Sequence, residues 1–102
     1  MHPIVEARRA EIEELCRRHH VKRLDVFGSA ASGNFNLETS DIDFLVEFNT
    51  LEPVPYKRAF FALLKALELV FGRKIDLVTA AMLQNPHLAR SVESMKVPLY
   101  DR

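Results

Sequence analysis

The sequence predicts an α/β (α+β) fold, a small mixed sheet packed with helices. Two observations carry the expectation. Apolar residues recur at helical spacing in three stretches, and short alternating or apolar runs bounded by turn residues lie between them. Read in order, the chain runs helix, strand, strand, helix, strand, helix, with no internal repeat and no low-complexity segment. A chain of 102 residues is expected to form one domain over 1–102 with a core of its own.

Residues 3–19 read as one amphipathic helix. Ile4, Ala7, Ile12, Leu15 and Cys16 mark its apolar side, and Arg8, Arg9, Glu11, Glu13 and Glu14 its solvated side. Pro3 suits the first turn. His19 and His20 fall at the C-terminal end, where positive charge is favoured; neighbouring residues on a helix point apart, so the pair is no zinc site by itself. Residues 21–27 read as a strand in which Leu24 and Val26 alternate with polar Arg23 and Asp25, ended by Gly28. A turn or short helical piece is expected over Ser29 to Gly33, then a polar loop from Asn34 to Ser40.

Residues 41–48 form the clearest strand. Ile42, Phe44, Val46 and Phe48 take one face; Asp41, Asp43, Leu45 and Glu47 take the other. Pro53 and Pro55 punctuate the following connection. Residues 56–71 then read as a helix with Phe60, Leu63, Leu64, Leu67, Val70 and Phe71 on a broad apolar face, stopped by Gly72. Lys74 to Thr79 make a third short strand, Pro86 to Met95 a last helix, and Val97-Pro98-Leu99-Tyr100 an edge strand, where proline is tolerated.

Composition narrows the function. With 48% hydrophobic and 27% charged residues the chain falls among globular proteins. Fourteen basic residues balance fourteen acidic ones, and that absence of a basic excess weighs against direct nucleic-acid binding. Near-zero net charge suits a protein that works in a homo- or hetero-oligomer. The single cysteine, Cys16, excludes an internal disulfide and fits a reducing, cytoplasmic compartment; its helical setting makes it a packing residue. No apolar run reaches membrane-spanning length, and no secretory signal follows Met1-His2-Pro3.

Chemistry concentrates in two motifs and one further residue. Asp41 and Asp43 open an otherwise apolar strand. Two residues apart, they share a face, about 6.5–7 Å from one another along the chain. Carboxylates so placed suit a hard divalent cation such as Mg2+. Asp76 lies between Ile75 and Leu77, and completes a three-carboxylate cluster if the strands at 41–48 and 75–79 are neighbours. Gly28 and Ser29 form a turn whose backbone can approach a phosphate, with the Ser29 hydroxyl as a further donor. Metal and phosphate together point to nucleotide chemistry, in which metal ions polarise an α-phosphate and stabilise departing pyrophosphate.

The segments Phe27-Gly28-Ser29, Ser40 to Phe48, Gly72 to Thr79 and Val97 to Tyr100 resemble the minimal nucleotidyltransferases of the polymerase-beta superfamily. The motif of that family is Gly-Ser, a spacer, then Asp-x-Asp, and the likeness runs essentially end to end. The resemblance implies a nucleotidyltransferase fold that binds ATP with Mg2+. Asp41 and Asp43 match the metal-binding pair, Asp76 the third carboxylate, and Gly28 and Ser29 the phosphate-contacting turn. It also implies a partner, a small all-helical HEPN-type toxin that the family silences by attaching AMP. The shortness of the chain points the same way, leaving little room for an acceptor-binding domain.

Two departures from the family pattern bear on activity. The spacer from Ala30 to Ser40 has eleven residues, one more than the common form, which is expected to test the placement of the Gly-Ser turn. Arginine commonly follows Gly-Ser, whereas this chain has Ala30-Ala31-Ser32; Lys57, Arg58, Arg73 and Lys74 are the candidates to replace it. Two alternatives therefore stand beside protein adenylylation. One is a catalytically weak antitoxin acting by binding; the other is a nucleotidyltransferase acting on a small molecule such as an aminoglycoside.

Overall fold

In the computed structural model, which describes residues 1–101, four strands form one mixed sheet in the order β3-β2-β1-β4. The strands are β1 (Val21–Phe27), β2 (Ile42–Phe48), β3 (Ile75–Val78) and β4 (Val97–Asp101). β1 runs antiparallel to both β2 and β4, while β2 and β3 are parallel. A parallel pair needs a long crossover, supplied here by helix α4 (Pro53–Phe71).

One sheet face is the core. Leu24 and Val26 of β1, Ile42, Phe44 and Val46 of β2, and Ile75 and Leu77 of β3 are buried there. Helix α2 (Arg9–Arg18) and α4 cover it with Ile12, Cys16, Phe60, Leu63 and Leu67. Cys16 is fully buried, and burial pushes its thiol up to about 12, so it packs and stays protonated. Among the described residues no helix is long and apolar enough to cross a membrane.

The N-terminal segment is two helices where one was expected. α1 (Pro3–Glu6) is a single turn capped by the His2 imidazole, and Ala7, expected on the apolar side, is exposed beside the break. Val5 takes over the burial. α2 ends at Arg18 with His19 as its cap, and His20 follows with φ 63°, so the histidine pair forms a helix stop.

α4 begins at Pro53, three residues before the expected start. Pro53 and Pro55 lie in its first turn, where backbone N–H groups have no intrahelical acceptor to lose. Gly72 closes the helix with φ 62°. The short helix α3 (Ser29–Ser32), a 3-10 turn over Ala80–Met82 and α5 (Pro86–Met95) complete the chain. β4 is an edge strand beside β1, as expected.

Asp25 departs from its expected place on a solvated face. It is 1% exposed. Arg23 Nε donates to both carboxylate oxygens at 3.3 and 3.1 Å, and Lys96 Nζ stands 3.8 Å away. The end of α5 therefore reaches the second sheet face and encloses part of it.

Leu63→Ala removes a fully buried side chain between α4 and the sheet. It is expected to cost about 2–5 kcal/mol in urea unfolding; a loss under about 1 kcal/mol would show that α4 does not seal the core.

Candidate functional site

The register of the sheet brings the candidate residues together. Phe27 pairs with Asp43 across β1 and β2, and Asp43 pairs with Asp76 across β2 and β3. Since Ile42, Phe44, Ile75 and Leu77 point into the core, Asp43 and Asp76 both point to the opposite face. Gly28 follows Phe27 directly and stands against Asp43. A Cβ at position 28 would collide with the Asp43 carboxylate, and the backbone there has φ 68° and ψ −149°, a conformation essentially confined to glycine.

Asp43 is half-buried between two other acids. Burial lifts its carboxyl to about 6, and the charges of Asp76 and then Asp41, together with a hydrogen bond to Asp76, push the same way. A group so crowded by negative charge calls for a cation. The oxygen-only donor set fits Mg2+ rather than a thiophilic metal.

Asp41 stands beside this pair. It precedes β2, and its carboxylate Oδ2 lies 3.6 Å from Lys74 Nζ in a largely exposed ion pair. Asp43 feels its charge. Among the described residues, however, no three acid, histidine or cysteine side chains converge as a finished metal cage. The structure gathers Asp43 and Asp76 by strand register and leaves Asp41 beside them, held by lysine.

The phosphate-side turn also forms. α3 begins at Ser29, and the amides of Ala31 and Ser32 donate to the Gly28 carbonyl. The Ser29 amide, on a half-buried residue, thus stands at the start of the turn. Ala30 is fully buried, so that position has no room for an arginine side chain.

The longer spacer leaves the contact of Gly28 with Asp43 intact. Arg73 donates to the carbonyls of Leu37 at 2.9 Å and Ser40 at 3.3 Å, and its guanidinium lies 5.1 Å from the centre of the Phe35 ring. Phe35 packs on His2, whose amide donates to the Ala30 carbonyl. Of the four basic candidates, Arg73 is thereby occupied as a loop staple. Lys57 and Arg58 line a hollow with Pro53 and Phe61 at the start of α4. Lys74, beside Asp41, is the one in contact with a candidate carboxylate. Sequence reading had no means to sort these four, since each is an ordinary surface cation by pattern; Arg73 and its loop carbonyls are 33 and 36 residues apart.

The crowding of Asp43 has a thermodynamic signature. In the unfolded chain this carboxyl titrates near 3.8, in the folded chain near 6. Between those values the folded state keeps a proton that the unfolded state has lost. Without divalent cations, stability therefore falls as pH rises from about 4 through 6. Asp43→Asn is expected to abolish that fall, giving a melting temperature equal to wild type near pH 4 and higher above pH 6; parallel profiles would refute the assignment. Gly28→Ala is expected to cost about 1–3 kcal/mol in denaturant unfolding through its backbone conformation, and a neutral result would rule out the strained turn.

Comparison with known proteins follows the same outline. Residues 9–98 match the nucleotidyltransferase domain family. The chain is 36% identical over 92 residues to MJ1379 of Methanocaldococcus jannaschii, named as a protein adenylyltransferase, covering 82% of this chain and 90% of the relative. It is 37% identical over 76 residues to protein adenylyltransferase MntA of Thermococcus cleftensis, covering 74% and 73%. A solved minimal nucleotidyltransferase superposes with TM-score 0.69 at 34% identity over 96% of both chains. A toxin–antitoxin complex with AMP-PNP gives TM-score 0.69 at 24% identity, covering 92% of this chain and 73% of that one, a likeness of fold. The chain belongs to the nucleotidyltransferase domain family, among its minimal members.

Proposed function

We propose that this nucleotidyltransferase is Mg2+-dependent and transfers AMP from ATP to a hydroxyl of a partner protein, a HEPN-type toxin that it silences as an antitoxin. The observation that carries the reading is the pairing of Asp43 with Asp76 beside Gly28 on one sheet face. Two relatives named as protein adenylyltransferases, and the fold shared with a toxin–antitoxin pair bound to an ATP analogue, support the acceptor class.

Asp43, Asp76 and Asp41 would hold the metal, which when bound supplies positive charge to the α-phosphate and the departing pyrophosphate. Gly28 lets phosphate approach the backbone, and the Ser29 amide and hydroxyl donate to its outer oxygens. Lys74 adds a cation for phosphate once Asp41 turns to the metal. In the transfer, the acceptor oxygen bonds to the α-phosphorus, the bond to the bridging oxygen of the β-phosphate breaks, and pyrophosphate leaves with that electron pair. The acceptor proton passes to a neighbouring carboxylate, for which Asp76, the most open of the three acids, is placed. Exposed Phe61 and Leu69 on α4 offer apolar surface for the partner, whereas Leu99 of the tail is buried.

One observation favours a second reading. With Asp41 tied to Lys74 and no arginine after Ser29, the protein would neutralise its toxin by binding alone. A labelled-ATP assay with the co-expressed helical partner separates the two. Wild type should label the partner in Mg2+ and lose labelling with EDTA. Asp43→Ala and Asp41→Ala should each fall at least about 100-fold. Toxin inhibition with no label under any metal condition would overturn the enzymatic reading in favour of binding.

A further inference from the structure

The spacer between Ser29 and Asp41 separates the phosphate-side turn from the first carboxylate of the metal side. Both of its ends are held from outside. At the first end the His2 amide donates to the Ala30 carbonyl at 2.7 Å. At the last, Arg73 Nη1 donates to the Ser40 carbonyl at 3.3 Å, and Nη2 donates to the Leu37 carbonyl at 2.9 Å. Phe35, in the middle of the spacer, lies between these two holds. Its ring centre stands 4.8 Å from that of His2 and 5.1 Å from the Arg73 guanidinium carbon. A continuous strut therefore runs from Ala30 through His2, Phe35 and Arg73 to Ser40, joining one half of the site to the other.

The loop that the strut braces is also closed on itself. The Ser40 amide donates to the Asn36 carbonyl, the Asn36 amide to Ser40 Oγ, and the Glu38 amide to Asn36 Oδ1. Local bonds of this kind give a loop its shape. They do not fix where the loop sits over the sheet. Arg73 supplies that tie, from two residues before β3 and 33 residues after Ser40.

Asp41 receives the result. The carbonyl before it is held by Arg73, and the amide after it, that of Ile42, donates to the Lys74 carbonyl at 3.4 Å. Two consecutive residues thus pin the backbone on both sides of Asp41. Its carboxylate is held less firmly, since the pair with Lys74 at 3.6 Å is largely exposed. A side chain that must turn from lysine to a metal needs a fixed Cα to turn about. Misplacing a reacting group by about 1 Å can cost about 100-fold in rate.

Arginine has the shape for this task. Its planar fork reaches two carbonyls at once while its face rests on a ring; a lysine ammonium is a single point of charge. Arg73 Nε is buried with no hydrogen-bond partner among the described residues. A buried donor left unfilled costs stability, so this guanidinium is not placed for stability alone.

We propose that Arg73 is a positioning residue for the transfer: through the Leu37 and Ser40 carbonyls and the stack of Phe35 on His2, it holds the Gly28-Ser29 turn and Asp41 at one separation. The inference rests on the nucleotidyl-transfer reading and adds to it a residue that acts on the site without touching metal or nucleotide. Two variants test it. Arg73→Met keeps the length of the side chain and removes its donors. Phe35→Leu removes the ring beneath the guanidinium and keeps every hydrogen-bonding group. Melting temperatures verify folding, and hydrogen exchange reads the amides of residues 36–42. The Mn2+ dissociation constant is measured with a non-hydrolysable ATP analogue, and kcat and KM for ATP by labelling of the helical partner.

Arg73→Met is expected to lower kcat and weaken Mn2+ by about 10–100-fold each while KM for ATP stays within about threefold. Phe35→Leu should move both in the same direction by less, and both variants should speed exchange over 36–42. The double variant should lose less than the product of the single losses, because the two side chains belong to one strut. Faster exchange with unchanged kcat and Mn2+ affinity would overturn the proposal, leaving Arg73 a loop staple only. A raised KM for ATP at unchanged kcat would overturn it too, by placing Arg73 on the nucleotide. If Arg73→Met does not fold, Phe35→Leu decides by the same measurements. Wild type that binds Mn2+ with the analogue yet labels nothing would bring down the transfer reading, while the Mn2+ and exchange comparison would still decide the placement of Asp41 by Arg73.

Discussion

The parallel register of β2 and β3 sets Asp43 beside Asp76, and the rest of the site is arranged around that pairing. Two carboxylates side by side repel, and the Asp43 carboxyl, lifted to about 6 by its burial and then by the charge of Asp76, records the conflict. The opposite face of the same strands enforces it. Ile42 against Ile75 and Phe44 against Leu77 lock the register by burial, and a slip of one residue would drive Asp76 into the core and its apolar neighbours into water. Hydrophobic packing on one side of the sheet thus holds an electrostatic tension on the other. A bound cation would relieve that tension.

Gly28 and the spacer extend this arrangement. Because Phe27 pairs with Asp43, the turn after β1 must pass close over the carboxylate, and only a residue without a Cβ clears it. The additional residue in the spacer is accommodated away from this contact. Arg73, two positions before β3, fastens the loop through the Leu37 and Ser40 carbonyls and the Phe35 ring. The segment leading to Asp41 is therefore fixed from the strand that carries Asp76. Lys74 holds Asp41 from that same approach to β3.

Much of this was legible from local pattern. Alternation in 41–48 identified β2 and its two faces, and the breadth of the apolar stripe after residue 56 identified α4. Local pattern failed where two signals competed. Pro53 and Pro55 look like loop punctuation, yet a helix's first turn needs no amide donors, so the prolines begin α4. The N-terminal stripe looked continuous, but capping by His2 and burial of Val5 favour a separate turn ahead of α2. Asp25 alternates with Leu24 and Val26 like a solvated residue. It is buried because Arg23 and Lys96, one from its own strand and one from a segment about seventy residues on, neutralise it.

By itself the sequence determined the fold class, the strand bearing Asp41 and Asp43, the glycine turn and the candidacy of Asp76, because each depends on residue type and short-range spacing. Tertiary structure alone decided that Asp43 and Asp76 are register partners and that Asp41 is drawn toward Lys74 instead of converging with them. It also decided that Arg73 is a staple and that position 30 is closed to arginine. Strand pairing, side-chain convergence and enclosed volume arise between segments distant in sequence. The chemistry of each residue is local, but the distances that make it a site are set by packing.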